Sequence, residues 1–137
     1  MSVSYQYDKV SNFVFSDAEG TLDSHEIIEH LTNLLNDENI SSSFINIVSV
    51  ENMVDLLFRY SDAEIISGVL KDLNSKGLKF TIFIANNADK RNMVEVIFSF
   101  FKSESDSEIA QAFIVDNKEK ALELAYTTIK SDGVDLF

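Results

Sequence analysis

Side chains that could do chemistry are few in this sequence, and they do not form a known catalytic pattern. The chain has no cysteine, and its two histidines, His25 and His30, are five residues apart. On a helix this spacing turns the imidazoles about 140° away from each other, so they cannot share a metal ion as an i, i+4 pair can. Glycine-rich phosphate loops, the GxSxG elbow and the HExxH zinc motif are also missing. The sequence therefore predicts a protein that is not an enzyme and that needs no metal or cofactor.

The net charge of the chain excludes some classes of binding partner. Eleven Lys and Arg residues stand against 23 Asp and Glu residues, giving a formal charge of −12 at pH 7. Affinity for nucleic acid comes from clustered basic residues, so we expect no nucleic-acid binding. The acidity also argues against an anionic membrane surface, and no apolar run approaches the roughly 20 residues that span a bilayer. Because the first residues lack a signal-peptide pattern, the expected location is the cytoplasm.

Two basic residues stand at an unfavourable position, just after a predicted strand and at the start of a predicted helix. Lys90 and Arg91 fall in the first helical turn, where the helix dipole disfavours cations. The carboxyl end of a parallel strand is the customary side for ligands in open α/β sheets. With Asn86 and Asn87, the two cations could hold a small anion against the helix amides. The alternative is that Lys90 and Arg91 only relieve an acidic surface.

A second unusual segment, residues 51–60, joins a predicted strand to a predicted helix and holds six apolar residues in ten. One interpretation is a lid over the core or a short extra element. The other is a ridge that binds a partner, with Leu56, Leu57 and Phe58 as its apolar contacts and Arg59 at the rim.

The elements that position these residues are indicated by helix caps and apolar spacing. Asp23, Ser61 and Asp116 each stand three residues before a Glu, as in a capping box. Apolar residues at helical spacing follow each box, and a fourth helix is predicted from about Asp89. Its apolar residues span an arc of about 200°, more than one contact face needs. Val96 and Phe100 lie on this arc and could form a homodimer contact.

Between the helices lie β-type runs. Residues 5–7 and 12–15 predict an opening hairpin, and the runs 44–50, 78–85 and 112–115 are almost continuously apolar. The order ββαβαβαβα predicts a single α/β domain over residues 1–130, with a mixed, mainly parallel five-stranded sheet and four helices. Residues 131–137 are expected to form a flexible C-terminal tail.

The chain resembles the SpoIIAA-like branch of the STAS (sulfate transporter and anti-sigma factor antagonist) domains. The resemblance covers nearly the whole chain and is carried by Tyr7-Asp8, Asn12-Phe13-Val14, Gly20-Thr21-Leu22, Glu26-Ile27, Ile45-Asn46-Ile47-Val48, Ile82-Phe83-Ile84-Ala85, Arg91-Asn92-Met93, Ala112-Phe113-Ile114-Val115-Asp116 and Ala121-Leu122. Small bacterial proteins of this branch are also compared with CRAL-TRIO lipid-binding folds. The resemblance implies a mixed sheet with helices packed on it and no enzymatic activity.

In the regulatory members of that family, a serine at the start of the second helix is phosphorylated by a partner kinase. Ser61 stands near the corresponding place, although the Asp-Ser-Ser/Thr-Gly-type turn is replaced by Phe58-Arg59-Tyr60-Ser61-Asp62. The resemblance therefore makes Ser61 a candidate phosphorylation site.

Two functions follow as expectations. The first is a non-catalytic regulatory or protein-interaction module that docks on a protein partner or pairs with itself. The second is a carrier of a small molecule or lipid, with an apolar pocket beside helix 89–101.

Overall fold

The computed structural model describes residues 2–40, 43–104 and 111–135. For residues 99–104, 111 and 128–135 it describes the backbone alone. Nine elements follow one another in the order β1 (Val3–Asp8), β2 (Phe13–Asp23), α1 (Ser24–Asn36), β3 (Phe44–Leu57), α2 (Tyr60–Lys76), β4 (Leu78–Ile84), α3 (Ala88–Glu104), β5 (Gln111–Val115) and α4 (Lys118–Asp135). The predicted order is confirmed. Across the described residues, no helix is long and apolar enough to cross a membrane.

The five strands form one sheet in the order β1-β2-β3-β4-β5, with β1 antiparallel to β2 and the other pairs parallel. This confirms the mixed, mainly parallel sheet. The three crossovers, β2 to β3, β3 to β4 and β4 to β5, each lead to the neighbouring strand on the same side. Because such connections are right-handed, α1, α2 and α3 lie on one face of the sheet. The last helix, α4, has no following strand and packs on the opposite face.

The sheet is buried on both faces, which explains its almost continuous apolar strands. On the α1–α3 face the core joins strand residues such as Val14 and Val48 to Leu31, Leu34 and the apolar residues of α2 and α3. On the α4 face a smaller core joins strand side chains to two helix alanines; its members are Phe13, Ile45, Ile47, Phe80, Ile82, Ile84, Ala121 and Ala125. A single helix, α4, packs on this second face.

Strands β2 and β3 run further than the sequence predicted. Beyond Ala18 and Ser49, which pair with β1 and β4, the two strands continue as a pair up to Asp23 and Leu57. One backbone bond to the β1 side remains, from the Glu19 N–H to the Ser2 carbonyl at 2.8 Å. We call residues 19–23 and 50–57 the β2–β3 extension. One of the two register shifts between the strands falls between Gly20 and Thr21, and the φ of Gly20, 67°, lies in the left-handed region that suits glycine.

One of the three predicted capping boxes is confirmed. At α1 the Asp23 carboxylate accepts the Glu26 N–H at 2.8 Å, and the Glu26 carboxylate accepts the Asp23 N–H at 3.2 Å. The two bonds satisfy donors that the first helical turn leaves without partners.

The other two predicted caps are wrong. Helix α2 begins at Tyr60, with Arg59 at the N-cap and no side-chain cap bond, because β3 continues to Leu57 and leaves only two residues before the helix. Helix α4 is capped by Asn117, whose side-chain oxygen accepts the Lys120 N–H at 2.8 Å. Asp116 is instead held by ion pairs with basic side chains.

Helix α4 extends to Asp135 and so includes most of the segment predicted to be a tail. The flexible tail stays a prediction, and residues 136 and 137 of that segment lie outside the described residues.

Candidate functional site

The β2–β3 extension carries a group of exposed apolar side chains. Val54 is 73% exposed, Leu57 is 56% exposed and Tyr60, the first residue of α2, is 83% exposed. Along the same segment, Met53 is buried and belongs to the core of the α1–α3 face. Only one side of this part of β3 is therefore covered. We call Val54, Leu57 and Tyr60 the extension surface.

The predicted ridge residues divide between core and surface. Leu56 and Phe58 are half-buried and pack against the core of the α1–α3 face, as the lid interpretation requires. Leu57 and Arg59 are exposed, as the ridge interpretation requires. The segment is thus a strand extension that contributes side chains to the core and to the surface. Of the three predicted apolar contacts, Leu57 is the one whose side chain is exposed.

The other two predicted contact residues lie on α3, away from this segment. Val96 is 43% exposed. The side chain of Phe100 lies outside the described residues. The homodimer contact through α3 stays a prediction.

Charge along residues 51–64 is mainly negative, although the Lys90 ammonium also reaches this segment at the Met53 carbonyl. Residues 51–64 contain four acidic residues and one basic residue, Arg59. Glu51, Asp55 and Glu64 are exposed, as is Arg59. An apolar contact bordered by acids favours a partner whose own rim carries lysine or arginine.

The predicted anion-site residues lie together at the start of α3, but three of them already have protein partners. The Asn87 side-chain oxygen accepts the Lys90 N–H at 3.0 Å and so caps the helix. The Lys90 ammonium donates to the Met53 carbonyl, and the Arg91 guanidinium donates to the Asp116 carboxylate. These contacts give the cations a structural role that the sequence analysis did not find.

The contact from Lys90 has a physical explanation in the sheet edge. Beyond Ser49, β3 has lost its neighbour β4 and would present unpaired backbone groups. Lys90 covers one of those groups, the Met53 carbonyl. Arg91, the second cation of the predicted site, bonds Asp116. Hydrogen bonds from Lys120 and Arg91 lower the pKa of the Asp116 carboxyl group. Asn86, the fourth residue of the predicted site, is exposed.

Ser61, the candidate phosphorylation site, is exposed in the first turn of α2. Its neighbour Asp62 accepts a hydrogen bond of 2.5 Å from the hydroxyl of Ser24, the first residue of α1. The same Ser24 oxygen accepts the Arg59 N–H at 3.1 Å, so Ser24 joins the starts of the two helices. Phosphorylation of Ser61 stays a prediction.

A cavity of about 60 Å³ lies between the sheet and the helices of the α1–α3 face, beside Ile97 of α3. Its lining is mainly apolar and includes the side chains of His30 and Asn46. His30 is 9% exposed, and burial lowers its pKa from 6.5 to about 4. This is the pocket position expected for a carrier, but the volume is well below the roughly 300 Å³ at which ligand pockets begin.

Metal binding finds no support in the described part of the chain, which contains no group of three or more His, Asp or Glu residues that could hold an ion. The predicted absence of catalytic groups stays a prediction, since nothing in the geometry tests it.

Comparison with known proteins identifies the fold. No protein-family model matches the chain, and no curated protein matches it. Among solved structures, it is similar to an uncharacterized protein of the DUF3478 family from Shewanella loihica PV-4, which has a SpoIIAA-like fold. The two share 16% sequence identity with a TM-score of 0.54, over 90% of this chain and 91% of the other. The resemblance expected from the sequence is confirmed at the level of the fold: this chain has a SpoIIAA-like fold.

Proposed function

We propose that the chain is a non-catalytic interaction module that docks a partner protein through the extension surface. The observation that carries the proposal is the presence of three large exposed apolar side chains within seven residues, where β3 ends and α2 begins. Several exposed apolar side chains close together in the chain are more typical of a binding site than exposed apolar residues that occur singly. Val10, in the β1–β2 turn, is such a single exposed apolar residue.

The charges favour a partner other than a second copy of the chain. Each copy carries a formal charge of −12, so the long-range electrostatic interaction between two copies is repulsive. A partner with an apolar contact and a basic rim would instead complement Glu51, Asp55 and Glu64. The proposed partner is therefore a different protein with these features.

The test compares two substitutions of an exposed apolar residue by a charge. Leu57→Asp changes the extension surface, and Val10→Asp is the matched control at the β1–β2 turn. Tagged wild-type and variant chains are incubated with a native extract, and the captured proteins are quantified by mass spectrometry at low and high salt.

The expected result is a protein that wild type and Val10→Asp retain equally, that Leu57→Asp loses, and whose retention falls with salt. Urea unfolding is expected to show all three chains folded. Capture of the same proteins in the same amounts by all three chains would contradict the proposal. A dimer of the wild-type chain in sedimentation analysis, lost in Val96→Asp, would favour the homodimer instead.

The carrier function has less support. Its cavity is about 60 Å³, which is the volume of a few water molecules rather than of a lipid chain. Native mass spectrometry of the purified protein decides this point, because a co-purified ligand of lipid mass would favour the carrier.

A further inference from the structure

A groove lies on the α4 face of the sheet, where the single helix leaves part of the strands uncovered. Its volume is about 410 Å³, within the range of small-molecule pockets. Its apolar floor includes Phe15, Ile47 and Ile84. Two charged side chains, Asp17 and Lys118, also line it. The groove is separate from the extension surface and the inference does not rest on the proposed function.

Asp17 supplies the negative charge. Strand alternation places it on the α4 face, because its neighbour Ser16 bonds the buried Asn46 side chain at 2.8 Å on the other face. In the sheet register, Asp17 stands between Ser4 of β1 and Ser49 of β3. Its Oδ1 atom is buried and has no hydrogen-bond partner among the described residues.

An unpartnered carboxylate oxygen is costly, because it has lost its hydration without gaining a donor. Asp17 as a whole is half-buried and lines the groove, so a ligand there can reach its carboxylate. A ligand that donates hydrogen bonds to the carboxylate would offset part of that cost. An ammonium group is such a donor and also matches the negative charge.

Lys118 supplies the positive charge. Its ammonium lies 5.2 Å from the centroid of the Phe15 ring, and Phe15 is two residues before Asp17 on the same strand face. The nearby acid Asp116 is engaged by Arg91 and Lys120. Within the described residues, Lys118 makes no ion pair. The groove thus holds opposite charges that do not neutralise each other directly, beside an apolar floor.

We propose that this groove binds a small zwitterion, an α-amino acid with an aliphatic side chain. Its ammonium group pairs with Asp17, its carboxylate pairs with Lys118, and its side chain lies on Ile47 and Ile84. A simple cation would be repelled by Lys118. A simple anion would be repelled by Asp17.

The first experiment titrates the isotope-labelled wild-type chain with L-leucine and follows backbone amide shifts by NMR. Two analogues each lack one charge: 3-methylbutylamine has no carboxylate, and 4-methylpentanoate has no ammonium group. The expected result is saturable shifts around Phe15, Asp17 and Ser49 with leucine. Binding of each analogue is expected to be at least about tenfold weaker, because each loses one charge-assisted contact.

The second experiment assigns each charge to its side chain. Asp17→Asn is expected to weaken leucine binding about tenfold while leaving 4-methylpentanoate binding no weaker, and Lys118→Met is expected to weaken leucine while leaving the amine no weaker. Glu29→Gln and Lys71→Met change exposed charges on α1 and α2, beyond the other face of the sheet, and serve as controls.

Three outcomes would overturn the inference. They are the absence of saturable shifts with leucine, equal binding of leucine and both analogues, and equal leucine binding by folded Asp17→Asn and wild type. The analogue series uses only the wild-type chain, so it decides the matter even where a variant fails to fold.

Discussion

His30 should make the stability of this protein fall as the solution becomes acidic. The imidazole is buried in the α1–α3 face, and burial lowers its pKa from 6.5 to about 4. Between these two values the unfolded chain binds a proton that the folded chain does not bind. Protonation therefore favours unfolding in this window, and the free energy of unfolding decreases as pH falls from about 6.5 towards about 4.

The size of the effect follows from the two pKa values. The full shift corresponds to about 3 kcal/mol, and about 2 kcal/mol of it should be lost between pH 7 and pH 4.5. Glu26 and Asp37 have pKa values lowered chiefly by hydrogen bonds from Ser2 and Tyr5, so they also lose stabilising contacts in acid. A comparison of variants is needed to isolate His30 from these carboxyl groups.

Urea unfolding near pH 7 and about pH 4.5 measures the effect in wild type and in His30→Leu, which removes the titrating ring. The loss of unfolding free energy on acidification should be about 2 kcal/mol larger in wild type, since the carboxyl groups are common to both chains. His25→Gln is the matched control, because His25 lies on the same helix but is exposed. Equal acid sensitivity of wild type and His30→Leu would refute the reasoning.

Three further substitutions test contacts between elements by urea unfolding. Ser24→Ala removes the hydroxyl that donates to Asp62, and a cost of about 1–3 kcal/mol is expected; an unchanged midpoint would show that the bond is not stabilising. Lys76→Met removes an ammonium that donates to three carbonyls at the end of α1, at 2.8 to 3.0 Å, and should cost a similar amount, against Lys71→Met as an exposed control. Asn87→Ala removes the cap of α3 and should cost about 1 kcal/mol, less than that if the first turn is held mainly by the contacts of Lys90.

Much of the fold could be predicted because its signals are local. The capping box at Asp23 and the spacing of Ile27, Leu31 and Leu34 place α1, and all three side chains are buried in the core. Continuous apolar strands predicted burial on both faces, since a parallel sheet needs cover on each side. The right-handed crossover rule then fixes where α1, α2 and α3 lie.

The β2–β3 extension could not be predicted in the same way, because it is buried on one side only. Residues 17–23 combine Asp, Glu, Gly and Thr with two apolar residues, a composition typical of loops. Ala18 and Leu22 are nevertheless buried, and the strand is held by pairing with β3, which is distant in sequence. Long-range pairing of this kind leaves little trace in a local pattern.

The same limit applied to the candidate sites. Arg91 and Lys90 stood out because cations are unusual at a helix start, but their partners Asp116 and Met53 are 25 and 37 residues away. Asp17 gave no signal as a groove residue until its strand face was known. Leu57 was predicted as a partner contact because six apolar residues in ten exceed what a solvated loop contains, and its exposure agrees with that prediction without testing it.

Photo-crosslinking in living cells tests the docking account most directly. A photoreactive phenylalanine analogue is placed at position 57 on the extension surface, and separately at position 10 in the β1–β2 turn, where Val10 is 96% exposed. The account predicts a discrete adduct with another protein at position 57 and none at position 10. Adducts absent from both positions, or the same at both, would contradict it.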